Sequence, residues 1–367
     1  MDIGVYCLDV GQGNCLAVVD PLPGGRPGQF QASLIDVGTD GDRLADWLHS
    51  IGVRKIPVIA LTHNDEDHIR GLAKLVHRFN PPPRRGPRVG QVFFLVDRDP
   101  ADIPFYLDAQ SWVQDGLIAQ VARLESPNVA PPGMGATLIQ EPFATYRLHC
   151  AFPVFPYSEA VSRGAPSRSR TGTNPNDTSG VIRLARPANP SRTRILFGGD
   201  LSYPGWQRMR DDGLDLQADV LVAPHHGAPR GSSTAFGPAE LAAETQPRFV
   251  LFSVGTRQRH VSARNEATAR HPLPDVVTAF RNQNSVILCT QISWRCHDDP
   301  ENVPGNSVIP LPSVIDPHAL SPSGSACAGT IMLVLRGTGH LVVSRLTDHQ
   351  AAVDALQPTG HHPICRS

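Results

Sequence analysis

The chain has 367 residues, 40% of them hydrophobic, and a formal net charge of −1 at pH 7. That length holds one large domain or two ordinary ones with a proper core. The charge balance excludes a global basic field that would pull the whole surface onto nucleic acid, so any such contact has to be local. Lysine occurs only at Lys55 and Lys74, and arginine supplies the rest of the 33 basic residues, which reads as the codon bias of a GC-rich genome. No run approaches the ~18 apolar residues of a membrane span. The N-terminus lacks the basic start and long apolar stretch of a signal peptide, so a cytoplasmic protein is expected. Seven cysteines, an odd number, do not suggest a secreted disulfide scaffold.

In chain order, "IGVYCLDV" and "NCLAVVD" read as strands around the turn "GQGN", and "ASLIDVG" is a third strand ending on Asp36 and Gly38. "RLADWLHSIG" reads as a short helix stopped by Gly52. "IPVIALTH" is apolar nearly throughout and reads as a buried strand. After it Ile69, Leu72, Leu75, Val76 and Phe79 fall on one helical face. "VGQVFFLVD" and "YRLHCAF" are further strands, and residues 157–175 are a polar loop rich in Ser, Arg, Gly and Pro. "SGVIRLA", "TRILFGGD", "DVLVAPHH", "RFVLFSVG" and "SVILCTQI" continue the strands, the last two separated by the helix "LPDVVTAFRNQ". A Pro/Ser-rich insertion over 300–326 precedes a closing hairpin, "AGTIMLVLRGTGHLVVSRL". Strands and helices alternate, with helices available to cover sheets. Residues 1–298 are expected to form the catalytic domain, with the insertion and C-terminal hairpin of 299–367 packed on it.

The loop "LTHNDEDHIRGL", between a buried strand and an amphipathic helix, places two histidines and three carboxylates in six residues. Imidazole nitrogen and carboxylate oxygen are the ligands divalent cations take from proteins. His63 and Asp65 can face one point, and Asp67 and His68, opening the next helix, a second, enough for two cations roughly 3.5–4 Å apart. The competing reading is a solvated acidic loop with helix-capping Asp residues. Asp200 ends "LFGGD", His225 and His226 end "LVAPHH", and His271 precedes a helix. Each alone is an ordinary turn or core residue; together they are groups able to complete a site begun at His63.

With these motifs the chain resembles a metallo-β-lactamase-fold hydrolase, and more narrowly the metallo-β-lactamase domain of the ComEC competence-protein branch. "LTHNDEDHIRGL" is similar to the superfamily pattern H-x-[HD]-x-D-H. "LDVGQGNC", "NDTSGVIRL", "LFGGDL", "PHHGA", "FSVG" and the later "HP" resemble the branch's blocks, over roughly residues 3–295. The resemblance implies an α/β (α+β) fold, an αββα sandwich of two mixed sheets flanked by helices. It implies two divalent metal ions, zinc or manganese with magnesium as a further candidate. His63 and Asp65 would serve the first metal, Asp67 and His68 the second, Asp200 both, and His271 the second as terminal ligand. His225 and His226 would lie beside the site as ligand, phosphate contact or proton donor. The chain departs from the pattern at Asn14, where Asp is frequent, and at Ala228, where the branch usually has Ser. It also lacks the superfamily's middle histidine, for which Asn176, Asp177 or His225 would substitute. The competence proteins' transmembrane channel is absent from this sequence, so DNA uptake is not implied.

Two divalent cations bring +4 and Asp65, Asp67 and Asp200 return −3, leaving a positive site for an anionic substrate. The expected function is a metal-dependent phosphodiesterase, most of all a nuclease, in which activated water attacks phosphorus in line. Asp67, His225 and His226 are the candidate catalytic residues. Arg163, Arg168, Arg170, Arg257, Arg259 and Arg264 would line a phosphate track, or simply solubilise their loops. The alternatives are a small-molecule ester, lactone, thioester or cyclic-nucleotide hydrolase, and a metal-bound regulatory or binding module. Lastly, Cys289, Cys296, Cys327 and Cys365 crowd the last quarter of the chain, where four thiols could hold a structural zinc or pack separately as small apolar groups.

Overall fold

The computed structural model describes residues 2–11, 13–81, 86–95, 103–124, 136–137, 147–152, 175–185, 194–229, 235–255, 271–297, 327–344, 346–356 and 363–366. The first sheet takes β1 (Ile3–Cys7), β2 (Leu16–Pro21), β3 (Phe30–Ile35), β4 (Val53–Ala60), β5 (Val89–Phe94) and β6 (Ile118–Arg123). Its helices are α1 (Gly41–Ser50), α2 (Glu66–Ile69), α3 (Leu72–Phe79) and α4 (Ile103–Gln114). The second sheet takes β7 (Ala136–Thr137), β8 (Arg147–Phe152), β9 (Val181–Ala185), β10 (Ile195–Phe197), β11 (Val220–Val222), β12 (Phe249–Phe252) and β13 (Val286–Cys289). Its helices are α5 (Tyr203–Asp211), α6 (Pro238–Thr245) and α7 (Pro274–Asn282). The chain then returns to the first sheet with β14 (Ile331–Leu335) and β15 (Leu341–Val343), followed by α8 (Leu346–Leu356).

The strand orders are β15-β14-β1-β2-β3-β4-β5-β6 and β13-β12-β11-β10-β9-β8-β7. Both sheets are mixed. β3 to β6 run parallel, and β15, β14, β1, β2 and β3 are joined antiparallel. In the second sheet β10 to β13 are parallel, and β7 to β10 are joined antiparallel.

Strand periodicity sorts the side chains into layers. In β1, Ile3, Val5 and Cys7 enter a core shared by both sheets, while Tyr6 faces the helices of the first sheet. In β12, Phe249 and Leu251 enter the same shared core, while Val250 and Phe252 meet the helices of the second sheet. Trp47, Leu72, Leu75, Val76 and Phe79 of α1 and α3 cover one outer face, and Trp206, Met209, Val276 and Phe280 of α5 and α7 cover the other. The result is the four-layer αββα sandwich. Because β10, β11, β12 and the end of β4 are buried on both faces, these strands present polar chemistry where they end. Among the described residues no helix is long and apolar enough to cross a membrane.

Candidate metal centre

One half of the site comes from the first sheet. Past β4, Thr62 donates to the Asp36 carboxylate from its backbone N and from its hydroxyl, both at 2.7 Å. His68 of α2 lies against the same carboxylate, its Nδ1 2.7 Å from Asp36 Oδ2. An ionised carboxylate only accepts, so Nδ1 carries the proton, which in the neutral ring leaves Nε2 as a lone pair. That lone pair faces Asp200 Oδ1 at 3.2 Å. Asp65 stands at the N-cap of α2 yet makes no side-chain capping bond. Its Oδ2 lies 3.5 Å from His63 Nε2 instead, so the helix-capping reading of the acidic loop fails for this residue.

The other half comes from the second sheet. The Asp200 N–H donates to the Ser179 hydroxyl at 2.8 Å, which holds the chain after β10. Beyond β11, the backbone at His225 (φ 48°, ψ 47°) and His226 (φ 55°, ψ 23°) is left-handed at two successive residues. Such a conformation costs of order 1–3 kcal/mol for a non-glycine residue and persists where the surroundings over-determine it. Here it turns two neighbouring imidazoles to opposite ends of the Asp200 carboxylate. The His225 N–H is fixed by the Gly199 carbonyl at 2.8 Å. His226 Nδ1 donates to the Ser253 carbonyl at 2.7 Å, and its Nε2 faces Asp67 Oδ2 at 3.1 Å, a donor there when the ring is protonated and a free lone pair for metal when it is neutral.

The distances divide the candidate ligands into two sets. His63 Nε2 and His225 Nε2 each lie 3.6 Å from Asp200 Oδ2. His68 Nε2 and His226 Nε2 lie 3.2 and 4.0 Å from Asp200 Oδ1. Among the described residues, the groups of three with all ligand atoms within 4.8 Å are His63, His68, Asp200 and Asp67, His68, His226. Both ring nitrogens of His63, His68 Nε2 and Asp200 Oδ1 are buried without a hydrogen-bond partner. Lone pairs aimed at carboxylate oxygens repel unless a cation lies between them, so the residues present fit divalent metal.

Without metal, protons take that role. Burial opposes ionisation of Asp200, but the imidazoles of His68, His63 and His225 hold it well below the usual carboxylate range. Burial opposes ionisation of Asp67 too, and His68 and the bond with His226 hold it low. Burial likewise disfavours the imidazolium of His68, yet Asp36, Asp200 and Asp67 raise it. Asp67 and Asp200 raise His226 against its burial.

The remaining expected residues fall as follows. The His271 ring lies 5.6 Å from that of His225 and 5.9 Å from that of His226, and it is His226, not His271, that touches Asp67. Asn176 contacts His225 Nδ1 at 3.3 Å through its amide. Asp177 accepts from the Ser202 hydroxyl, at the start of α5. Cys289, Cys296, Cys327 and Cys365 carry free thiols and are not among the tight three-ligand groups. Arg163, Arg168, Arg170, Arg257, Arg259 and Arg264 lie outside the described residues. Sequence reasoning passed over Asp36, Thr62, Ser179 and Ser253. Of these only Asp36, a carboxylate ending the apolar run "SLI", carried a readable signal.

A family model described as the Metallo-beta-lactamase superfamily matches residues 6–238. Yeast PDE1, unliganded, is similar in structure at 9% identity and a TM-score of 0.44, covering 79% of this chain and 97% of that one. The short form of human tRNase Z is similar at 14% identity and a TM-score of 0.36, covering 70% and 94%. A diphosphatase of the PhnP family is similar at 13% identity and a TM-score of 0.37, covering 72% and 93%. Likenesses this distant carry no argument about the reaction. No curated protein matches the chain in sequence.

Proposed function

The chain belongs to the metallo-beta-lactamase superfamily, and from that premise we propose that it is a two-metal phosphodiesterase acting on nucleic acid in the cytoplasm. Within the superfamily we place it with the ComEC branch, on the motifs "LDVGQGNC", "HNDEDH" and "PHHGA". The observation that carries the reading is the pair of committed imidazoles. His68 and His226 each spend Nδ1 on an oxygen acceptor and aim Nε2 at a carboxylate.

His63, Asp65, His225 and Asp200 Oδ2 would hold one cation, and Asp67, His68, His226 and Asp200 Oδ1 the other. In this assignment His225 replaces the missing middle histidine, since it faces Asp200, while Asn176 meets His225 Nδ1 and Asp177 accepts from Ser202. Bound there, two divalent cations supply Lewis acidity, neutralise charge and lower the pKa of water. The chain's own contribution is charge and orientation. Three carboxylates against two divalent cations leave the centre positive, which retains a phosphodiester anion. Asp36, Ser253 and Ser179 fix the directions of His68, His226 and Asp200. His271, ring to ring with His225 and His226, would donate to phosphoryl oxygen.

The test is one panel. Metal-quantified protein is incubated with single- and double-stranded DNA, RNA, cyclic dinucleotides, an aryl phosphodiester, an aryl ester and a lactone, with and without chelator, beside Asp67→Ala. Cleavage of polymeric phosphodiester that is lost with chelator and in the variant is the expected result. Turnover of ester, lactone or cyclic dinucleotide alone moves the protein to small-molecule hydrolysis. Inertness of the metal-loaded protein to every substrate points to a regulatory or binding module.

A further inference from the structure

Four thiols from three stretches of the chain gather where the C-terminal turn meets the second sheet. Cys289 ends β13, Cys296 lies in the turn that follows, Cys327 leads into β14, and Cys365 is in the last described turn. Backbone bonds tie two of these segments together: Cys327 N to the Thr290 carbonyl at 3.0 Å and Ala328 N to the Cys289 carbonyl at 2.9 Å. Cys327 and Ile364 pack against both the core behind the second sheet and a small cluster of Ile292, Cys296 and Leu356. That cluster has three buried members, little apolar surface to hold the end of α8 and the tail.

We propose that Cys289, Cys296, Cys327 and Cys365 bind a structural zinc ion that fastens the C-terminal tail to the second sheet. An all-sulfur donor set selects zinc over the oxygen-seeking magnesium and manganese, so this site and the His/Asp centre differ in metal preference. Binding converts four thiols to thiolates, releases four protons to solvent and places each sulfur about 2.3 Å from the ion. Tetrahedral geometry then sets the sulfurs about 3.8 Å apart. No three of the free thiols fall within 4.8 Å of one another, so zinc would draw the three stretches inward. Burial and the neighbouring thiols push Cys289 and Cys327 well above the ordinary thiol range, and Cys365 up to about 12. Those three thiols therefore resist ionising until a cation arrives. The reading is independent of the hydrolytic activity.

Two measurements test it. Wild-type protein purified under reducing conditions is stripped with a mild chelator, then titrated with an organomercurial while released zinc is followed with a chromogenic indicator. About one equivalent of zinc per chain, held through the chelator and freed by thiol modification, is expected, and Cys365→Ser is expected to lose it. Protein expressed with cobalt is expected to show the thiolate-to-cobalt charge transfer and intense visible bands of a tetrahedral sulfur site. This second readout needs no variant, so it decides the matter if Cys365→Ser does not fold. Absence of both signals, or a disulfide among these four cysteines by non-reducing mass spectrometry, overturns the proposal.

Discussion

At the scale of single residues, the centre depends on groups that never touch a cation. Asp36 sets the tautomer of His68 through one oxygen, Oδ2, which also accepts from the Thr62 hydroxyl. Asp36→Asn keeps the shape but can turn an NH2 toward His68, removing the acceptor that holds the Nδ1 proton. Loss of such a partner costs about 10–100-fold in metal affinity or activity. Competition titration with a metal indicator should show that weakening, with an unchanged circular dichroism spectrum; unchanged affinity would contradict the tautomer argument. Asp9, after β1, is a different kind of buried acid. Its carboxylate accepts from Gln291 at 2.7 Å and from Gly11 N at 3.2 Å, yet burial pushes it up to about 7 from 3.8. A raised acid binds its proton more tightly in the folded state, so its contribution is full below about pH 4 and is lost as pH rises through about 7. In urea melts from pH 4 to 8, Asp9→Asn should lack that declining component, since an amide has nothing to titrate. Parallel pH profiles for the two proteins would refute the assignment.

At the scale of elements, turns and strand ends do the positioning. The turn between β1 and β2 presses Gly13, at φ 131°, onto the backbone of Asp67, where a Cβ would stand 2.3 Å from the Asp67 carbonyl oxygen. Ser253, past β12, donates its hydroxyl to the Gly13 carbonyl at 2.7 Å while its own carbonyl holds His226. Gly13→Ala therefore has to shift the Asp67 backbone or the turn. Overpacking and backbone strain together predict a loss of about 1–3 kcal/mol, read as a lower urea midpoint, with weaker binding of the second cation equivalent than the first. Equal weakening of both equivalents would show that the turn does not act through Asp67. Much of this level was legible in the sequence. Strand "IPVIALTH" and the helical face of Leu72, Leu75, Val76 and Phe79 follow from local apolar periodicity, which the fold obeys. The candidate ligands were legible because imidazoles and carboxylates at the ends of apolar runs have few other uses. Their pairing was not. Whether His226 or His271 meets Asp67 depends on two left-handed residues at His225 and His226, a local geometry that histidine does not announce. Asp36 reaches His68 across 32 positions, and no spacing rule finds that partner.

At the scale of the molecule, the site is a seam. His63, Asp65, Asp67 and His68 belong to the first sheet, and Asp200, His225 and His226 to the second. Other buried polar bonds cross the same seam: Gly180 N to the Thr62 carbonyl at 2.6 Å, Ser253 to Gly13 and Gln291 to Asp9. Placing β14 beside β1 also belongs to this level, and its 321-residue reach from Asp9 to Thr330 lay beyond any local pattern. A cation held by both sheets binds the folded chain and not the unfolded one, so it stabilises the whole domain by mass action. At a free metal concentration one hundred times Kd the gain is about 2.7 kcal/mol. The urea midpoint of protein with zinc or manganese should exceed that of chelated protein by a corresponding amount. Asp200 contributes to both ligand sets, so Asp200→Asn should remove most of the gain, whereas Asp65→Asn, on one set alone, should retain part of it. The half-exposed position of Asp65 supports the ranking, since its side chain is 41% accessible against 4% for Asp200. A metal-dependent gain that survives Asp200→Asn at full size would mean that the cations sit elsewhere and that the two sheets are joined by packing alone.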